Sequence, residues 1–351
     1  VITTYLSLLA LILLIFITTI AVFQNLWRHA SKLRNYAINF AISTFTILVL
    51  LLILEVSFYT VMVRSDSFSF TLANQRWFEI YWHPINQLGY RDVDYPEDTL
   101  KSHPLMMVVG DSFIAGQGIK NYQDRLSNRL QTKLGQDWIV LNIAQVGWST
   151  TEEYQAIISY PEPPAVIILA YFIDDIRAAA NRSKVPDKFS FTELVQPPPN
   201  NLFGWLIKHS YLANFYYWEW YRYHNRQPED IYWQRLRYFY GDGEAWQVHQ
   251  QELRTLVNYT RQHNIKLLPI IFPNLISLEL SRPIIDKVST LFQTLGVPAL
   301  DLSPYFQHHS PAELVVNKTD AHPNEQVNAA VAEMVFAEIT KRHLIEYAKG
   351  F

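Results

Sequence analysis

Residues 1–23, VITTYLSLLALILLIFITTIAVF, carry no charged side chain. At about 1.5 Å of rise per residue, a helix of that length spans a hydrocarbon core of roughly 30 Å. A second apolar run follows at residues 36–63. A cleaved signal peptide would have a shorter apolar stretch and no second run behind it, so the pattern predicts a two-helix transmembrane hairpin over residues 1–65. Arg28, Lys32 and Arg34 lie between the runs, and no Lys or Arg precedes the first. The positive-inside rule then places the connecting loop in the cytoplasm and everything after residue 65 outside. Val rather than Met at position 1 implies either a missing upstream piece or a non-AUG start, and does not alter this topology. Glu55 falls within the second run, where a carboxylate is expensive. Its closeness to Arg64 favours a hydrated or paired group near the outer interface over a contact with another membrane subunit.

Residues 66–351 are expected to form one extracytoplasmic domain. With 49% hydrophobic residues the chain can bury a core. A formal charge of −3 without a long basic run excludes the footprint of a nucleic-acid binder. Cysteine is absent, which excludes disulfides, thiolate metal sites and cysteine nucleophiles. Short apolar runs at 105–109, 138–142, 165–170, 267–272 and 299–302 alternate with segments of helical period. That is the pattern of a parallel sheet with crossover helices, in which ligands bind at the carboxyl ends of the strands. Residues 185–246 interrupt the alternation with Pro197, Pro198, Pro199 and a dense aromatic stretch. They read as an insertion, either an extra helical layer or a lid or platform, since Trp and Tyr suit both sugar faces and membrane interfaces.

The run at 105–109 leads directly into Gly110-Asp111-Ser112-Phe113, with Gly116 and Gly118 close behind. A serine on a tight turn between a strand and a helix has an exposed hydroxyl, and the helix's free N–H groups lie ready for an oxyanion. Asp-Ser also makes an ordinary helix N-cap, so the tripeptide needs partners. Asp320-Ala321-His322-Pro323-Asn324 supplies them before an amphipathic segment. His322 can take the proton of Ser112 while Asp320 orients the imidazole. His308 and His309 are adjacent, so their side chains diverge, and no metal is expected there. The Asn-x-Ser/Thr triplets at Asn181, Asn258 and Asn317 matter only in a source that glycosylates.

These blocks resemble the SGNH, or GDSL-type, hydrolase superfamily over nearly all of residues 86–340. VVGDSFIAGQGI at 108–119 resembles the first block and places the nucleophile on Ser112, VLNIAQVGWST at 140–150 places an oxyanion-hole glycine on Gly147, and DAHPN places the acid and base on Asp320 and His322. NQLGYRD at 86–92 and GVPALDLSP at 296–304 resemble the bacterial, membrane-tethered branch. The resemblance implies a three-layer α/β/α domain with a parallel sheet behind the transmembrane hairpin, no cofactor, no obligatory metal, and hydrolysis or transfer of acyl esters. It also implies a bacterial inner-membrane protein whose domain faces the periplasm, with membrane lipids and acylated carbohydrate or lipid as partners. One departure is serious: Asp174 stands in AYFIDDIR where the family places an oxyanion-hole Asn. An ionised carboxylate cannot donate and repels the charge it should stabilise. Three outcomes follow: Asp174 is kept protonated by burial, another donor substitutes, or the site is weak or dead. The last would suit an accessory subunit of a membrane complex, to which other membrane subunits would bind. Val327 is a smaller departure, where that branch more often has Gly.

Overall fold

Contiguous apolar runs such as LMMVVG and VIILAYF have no polar face, so a strand made of either must be covered on both sides, as in a parallel sheet between helical layers. The computed structural model describes residues 2–26, 31–67, 70–183, 198–225 and 227–345. Along the chain come α1 (Ile2–Leu26), α2 (Ser31–Val61), α3 (Leu72–Tyr81), α4 (Glu97–Ser102), β1 (Leu105–Gly110) and α5 (Ser112–Ala115). Next are α6 (Leu126–Leu134), β2 (Ile139–Ala144), α7 (Thr150–Ser159), β3 (Val166–Phe172) and α8 (Arg177–Arg182). α9 (Leu202–His209), α10 (Tyr211–His224), α11 (Gln227–Phe239) and α12 (Glu244–Gln262) precede β4 (Lys266–Phe272) and α13 (Leu278–Thr294). The chain closes with β5 (Leu300–Asp301), α14 (Ser303–Phe306), α15 (Pro311–Leu314), β6 (Val315–Asn317), β7 (Asp320–Pro323) and α16 (Glu325–Lys341).

The chain divides into two compact units. One comprises residues 1–64, 71–76 and 197–224, and the other residues 65–70, 77–196 and 225–351. The aromatic segment expected as a single insertion is thus shared between them, and its residues 185–197, Pro197 included, lie outside the described residues.

In the first unit α1 and α2 form an antiparallel hairpin, fastened by Phe16 stacked on Phe45 at 4.1 Å and Tyr5 edge-on to Tyr59 at 5.9 Å. Both helices are long and apolar enough to cross a membrane. Of the cations that set the expected orientation, Arg28 lies outside the described residues, while Lys32 and Arg34 fall in the first turn of α2.

In the second unit, five strands among the described residues form a parallel sheet in the order β2-β1-β3-β4-β5. All five runs expected as strands are strands, and every residue of β1, β2 and β3 is buried. The connection from β1 to β2 runs outward in one direction and those from β2 onward run in the other. Right-handed crossovers therefore place α6 on one face and α7 and α12 on the opposite face. α16 packs on α6, and α12 packs on α7, α8 and β4, completing three layers. This is one of the common doubly wound orders, and its chain reversal between β1 and β3 opens a crevice at the carboxyl ends of the strands.

Candidate active site

Gly110 ends β1 because nothing larger fits: a Cβ there would lie 2.6 Å from Ile114 Cγ1 and 3.3 Å from the Ala170 Cβ. The chain then turns at Asp111, whose carboxylate accepts the Phe113 N–H at 2.8 Å and caps the short α5. That turn puts Ser112 at the carboxyl end of β1. Gly116, in the left-handed conformation at φ 78°, terminates α5 after one turn.

His322 and Asp320 arrive on β7, which pairs antiparallel with β6. This small ribbon has no counterpart in the expected strands, because VVN and DAHP are too short and too mixed in polarity to carry a period. Ser112 Oγ lies 2.7 Å from His322 Nε2, and the opposite ring nitrogen, Nδ1, donates to Asp320 Oδ1. All three residues are buried, with Ser112 and His322 retaining 8% and 7% exposure. Burial alone would lower the His322 pKa, but the charge and hydrogen bond of Asp320, with Asp111 and Asp66 behind, raise it above the ordinary histidine value. Burial likewise opposes ionisation of Asp320, yet the charge and hydrogen bonds of His322 hold it below the ordinary carboxylate value. Phe113 lies edge-on to His322 at 5.4 Å and against Phe172 at 4.4 Å, which fixes the imidazole in its plane.

Gly147 follows β2 at φ 82°, a conformation that favours glycine, and its carbonyl accepts from Arg177 Nη2 at 2.9 Å. Asp174 follows β3 in a turn closed by Arg177 N–H donating to the Asp174 carbonyl at 2.9 Å. The loops after the first three strands thus carry Ser112, Gly147 and Asp174, while Asp111 feels the charges of both His322 and Asp174. Asp174 is partly exposed as a residue, but its Oδ1 is buried with no hydrogen-bond partner among the described residues. Burial raises its pKa above the ordinary value, partly offset by the Arg177 charge and a hydrogen bond from Tyr232. The neighbouring Asp175 has a structural role: its Oδ2 accepts the Phe172 N–H at 2.8 Å.

Two acidic residues near the site escaped sequence reasoning. Asp111, read there only as a cap, is pushed up to about 6 by burial, with the Phe113 N–H and His322 opposing and Asp174 adding to the rise. Glu153 was not singled out. It is fully buried on α7, neither of its oxygens has a partner among the described residues, and burial raises its pKa well above the usual value. A signal for Glu153 existed: it shares the buried stripe of α7 with Ala156 and Ile157, whereas Glu152 serves the capping box with Ser149. Val327 is buried and donates its N–H to the Asn324 cap of α16, so no glycine is required there. Among the described residues no group of three or more His, Asp or Glu side chains could hold a metal ion. His309 stacks on Tyr305 at 5.3 Å, and His308 meets Gln307 at 3.2 Å.

No family model matches the sequence, and no curated relative matches it. Several solved structures do. A lipolytic protein of the G-D-S-L family from Desulfitobacterium hafniense is 12% identical, covering 66% of this chain and 98% of its own, with a TM-score of 0.39. A lipase/acylhydrolase from Enterococcus faecalis is 11% identical over 68% of this chain and 96% of its own, with a TM-score of 0.42. The esterase EstA from Pseudoalteromonas sp. is 13% identical over 68% of this chain and 98% of its own, with a TM-score of 0.38. The functional reading rests on the geometry of the site itself.

Proposed function

We propose that the chain is a membrane-anchored serine esterase acting outside the cytoplasm, on the periplasmic side of a bacterial inner membrane. The observation that carries this reading is the continuous hydrogen-bonded line from Ser112 Oγ through His322 to Asp320. Ser112 attacks the ester carbonyl while His322 Nε2 takes its proton, and Asp320 holds the Nδ1 proton and stabilises the imidazolium. The tetrahedral oxyanion is received by the backbone N–H groups of Ser112 and Gly147 and by Asp174 in its acid form, which can donate where an ionised carboxylate cannot. Collapse releases the alcohol with the proton from His322. Water then hydrolyses the acyl-enzyme by the same route in reverse.

The proposed substrates are O-acetyl esters of envelope polysaccharide or peptidoglycan, or lipid esters. A shallow cleft of about 370 Å³ lined by Tyr90, Trp148, Thr151, Glu152 and Gln155 begins one residue beyond Gly147, and its mixture of aromatic and polar groups suits a sugar ring. The positive charges of Lys32 and Arg34 at the start of α2 support the periplasmic orientation. A second reading, an accessory subunit with an impaired site that binds other membrane subunits, is favoured by the orphaned Oδ1 of Asp174.

Labelling of the detergent-purified protein with a fluorophosphonate separates the two. The esterase reading expects labelling of the wild type that vanishes in Ser112→Ala. Labelling confined to Asp174→Asn would replace it with the subunit reading.

A further inference from the structure

Glu55 lies inside α2, six residues before its end at Val61. Its carboxylate accepts from the Tyr5 hydroxyl at 3.2 Å, the Ser210 hydroxyl at 2.7 Å, and the N–H groups of Tyr211 at 2.7 Å and Leu212 at 3.0 Å. Ser210 in turn accepts the Ala213 N–H at 3.1 Å. The first turn of α10, whose amides have no acceptor within their own helix, is therefore completed by a carboxylate on α2. The negative charge also complements the positive end of the α10 dipole. Around this clamp Tyr59 meets Tyr211 at 5.1 Å, Phe58 meets Phe215 at 5.1 Å, and Arg64 pairs with Glu219 at 2.6 Å.

The level of the clamp along α2 is informative. Lys32 and Arg34 mark one end of that helix, and the rise from Asn35 to Glu55 amounts to about 30 Å of helix, the thickness of a hydrocarbon core. Glu55 therefore stands at the opposite boundary, and the corner between α9 and α10 is fixed at that level. Both helices present large apolar side chains with most of their surface uncovered: Leu202, Phe203 and Trp205 on α9, and Tyr216, Trp220 and Tyr223 on α10, each more than half exposed. The α10 trio is spaced by four and three residues and so shares one helical face. Exposed α2 residues such as Ile53 and Leu54 flank Glu55 at the same level.

We propose that α9 and α10 form an interfacial aromatic platform, seated in the headgroup–acyl boundary of the bilayer opposite Lys32 and Arg34 and clamped to α2 through Glu55. Its occupant is phospholipid: Trp and Tyr concentrate at that depth, and an apolar helix face lying in the interface is buried by roughly 5–10 Å. The inference rests on the reading of α1 and α2 as a membrane anchor, and the test separates the two.

The chain has no cysteine, so single labels can be placed cleanly. The full chain is reconstituted in phosphatidylcholine–phosphatidylglycerol vesicles with a nitroxide attached through Phe203→Cys or Trp220→Cys. Leu14→Cys serves as the reference within α1 and Asp242→Cys, whose parent side chain is 98% exposed, as the aqueous reference. Collision rates with oxygen and with a water-soluble nickel chelate give the depth of each label. The expected result is a Leu14 label deep in lipid, an Asp242 label in water, and Phe203 and Trp220 labels shielded at least several-fold from nickel while open to oxygen. With Leu14 in lipid, nickel accessibility at Phe203 and Trp220 equal to that at Asp242 overturns the platform. Shielding from both probes overturns it in favour of a protein partner. A Leu14 label in water removes the anchor and the platform together.

Discussion

In the acid–base arm of the site, Ser112, His322 and Asp320 each meet a partner of the right polarity; in the oxyanion arm, Asp174 offers a carboxyl whose Oδ1 meets none among the described residues. Both arms contain buried carboxyls, and burial favours the proton on each, yet their neighbours tip them in opposite directions. Asp320 lies against a cation-forming ring and stays ionised. Asp174 has only a modest cationic neighbour in Arg177, so burial dominates and favours its proton. The difference teaches that the same side chain is a base-orienting anion or a hydrogen-bond donor according to what it is buried against. It also makes the competence of the second arm a matter of pH, whereas that of the first is a matter of geometry.

The largest expected effect tests the first arm. Asp320→Asn should leave the ring in place but present the wrong tautomer to Ser112, with a loss of about 10⁴-fold in kcat on an acetyl ester. A loss smaller than tenfold would mean that the line from Ser112 to Asp320 is not used.

The second arm responds more modestly and with a definite dependence on pH. Asp174 has a raised pKa, so it donates below its own titration and loses the proton as pH rises through it. Asp174→Asn donates at every pH. The ratio of mutant to wild-type kcat/KM should therefore start near one at low pH and climb to on the order of 10² once the wild-type carboxyl ionises. The wild type needs neutral His322 as well, and that requirement is common to both proteins and cancels in the ratio. A ratio that does not change with pH would remove Asp174 from the oxyanion arm.

The smallest effect concerns stability. Asp111, pushed up to about 6 from an ordinary value near 3.8, binds more protons folded than unfolded between those values. Its contribution to stability is therefore full below about 4 and declines as pH rises to about 6. Asp111→Asn keeps the cap to Phe113 without an ionisable group, so the decline in melting temperature over that interval should become shallower by a few degrees, as followed by calorimetry. An unchanged slope would assign the decline to Glu153 and Asp175, whose pKa values are also raised by burial.

What could be read from the sequence was what short stretches encode by themselves. The five strands announce themselves as apolar runs, Ser112 as a serine on a strand-to-helix turn, and Asp320 with His322 as an acid and base two residues apart. Gly147 was legible only through resemblance, since a lone glycine after a strand has many uses. The environment of Glu55 was not legible, because its partners on α10 and the residue before it lie about 155 residues further along the chain and no local pattern announces them. Glu153 was hidden for a related reason: whether a helical glutamate faces water or a buried carboxyl cluster depends on what α7 packs against. The fate of the aromatic stretch was divided by contacts rather than by composition, which is uniform across it.

The segment just after α2 bears on how a shortened version of this protein would behave. Ser67 N–H donates to the Thr319 carbonyl at 3.0 Å, Ala321 N–H donates to the Ser67 hydroxyl at 2.8 Å, and Asn317 Nδ2 donates to the Ser65 carbonyl at 3.2 Å. The Asp66 carbonyl accepts from Gln117 Nε2 at 2.8 Å. A chain trimmed to begin at Trp77 would keep all five sheet strands, yet β7 would lose its outer support while still carrying His322. Truncation for solubility would thus be read as a dead enzyme when the damage was done by the scissors, and the safe cut lies ahead of Ser65.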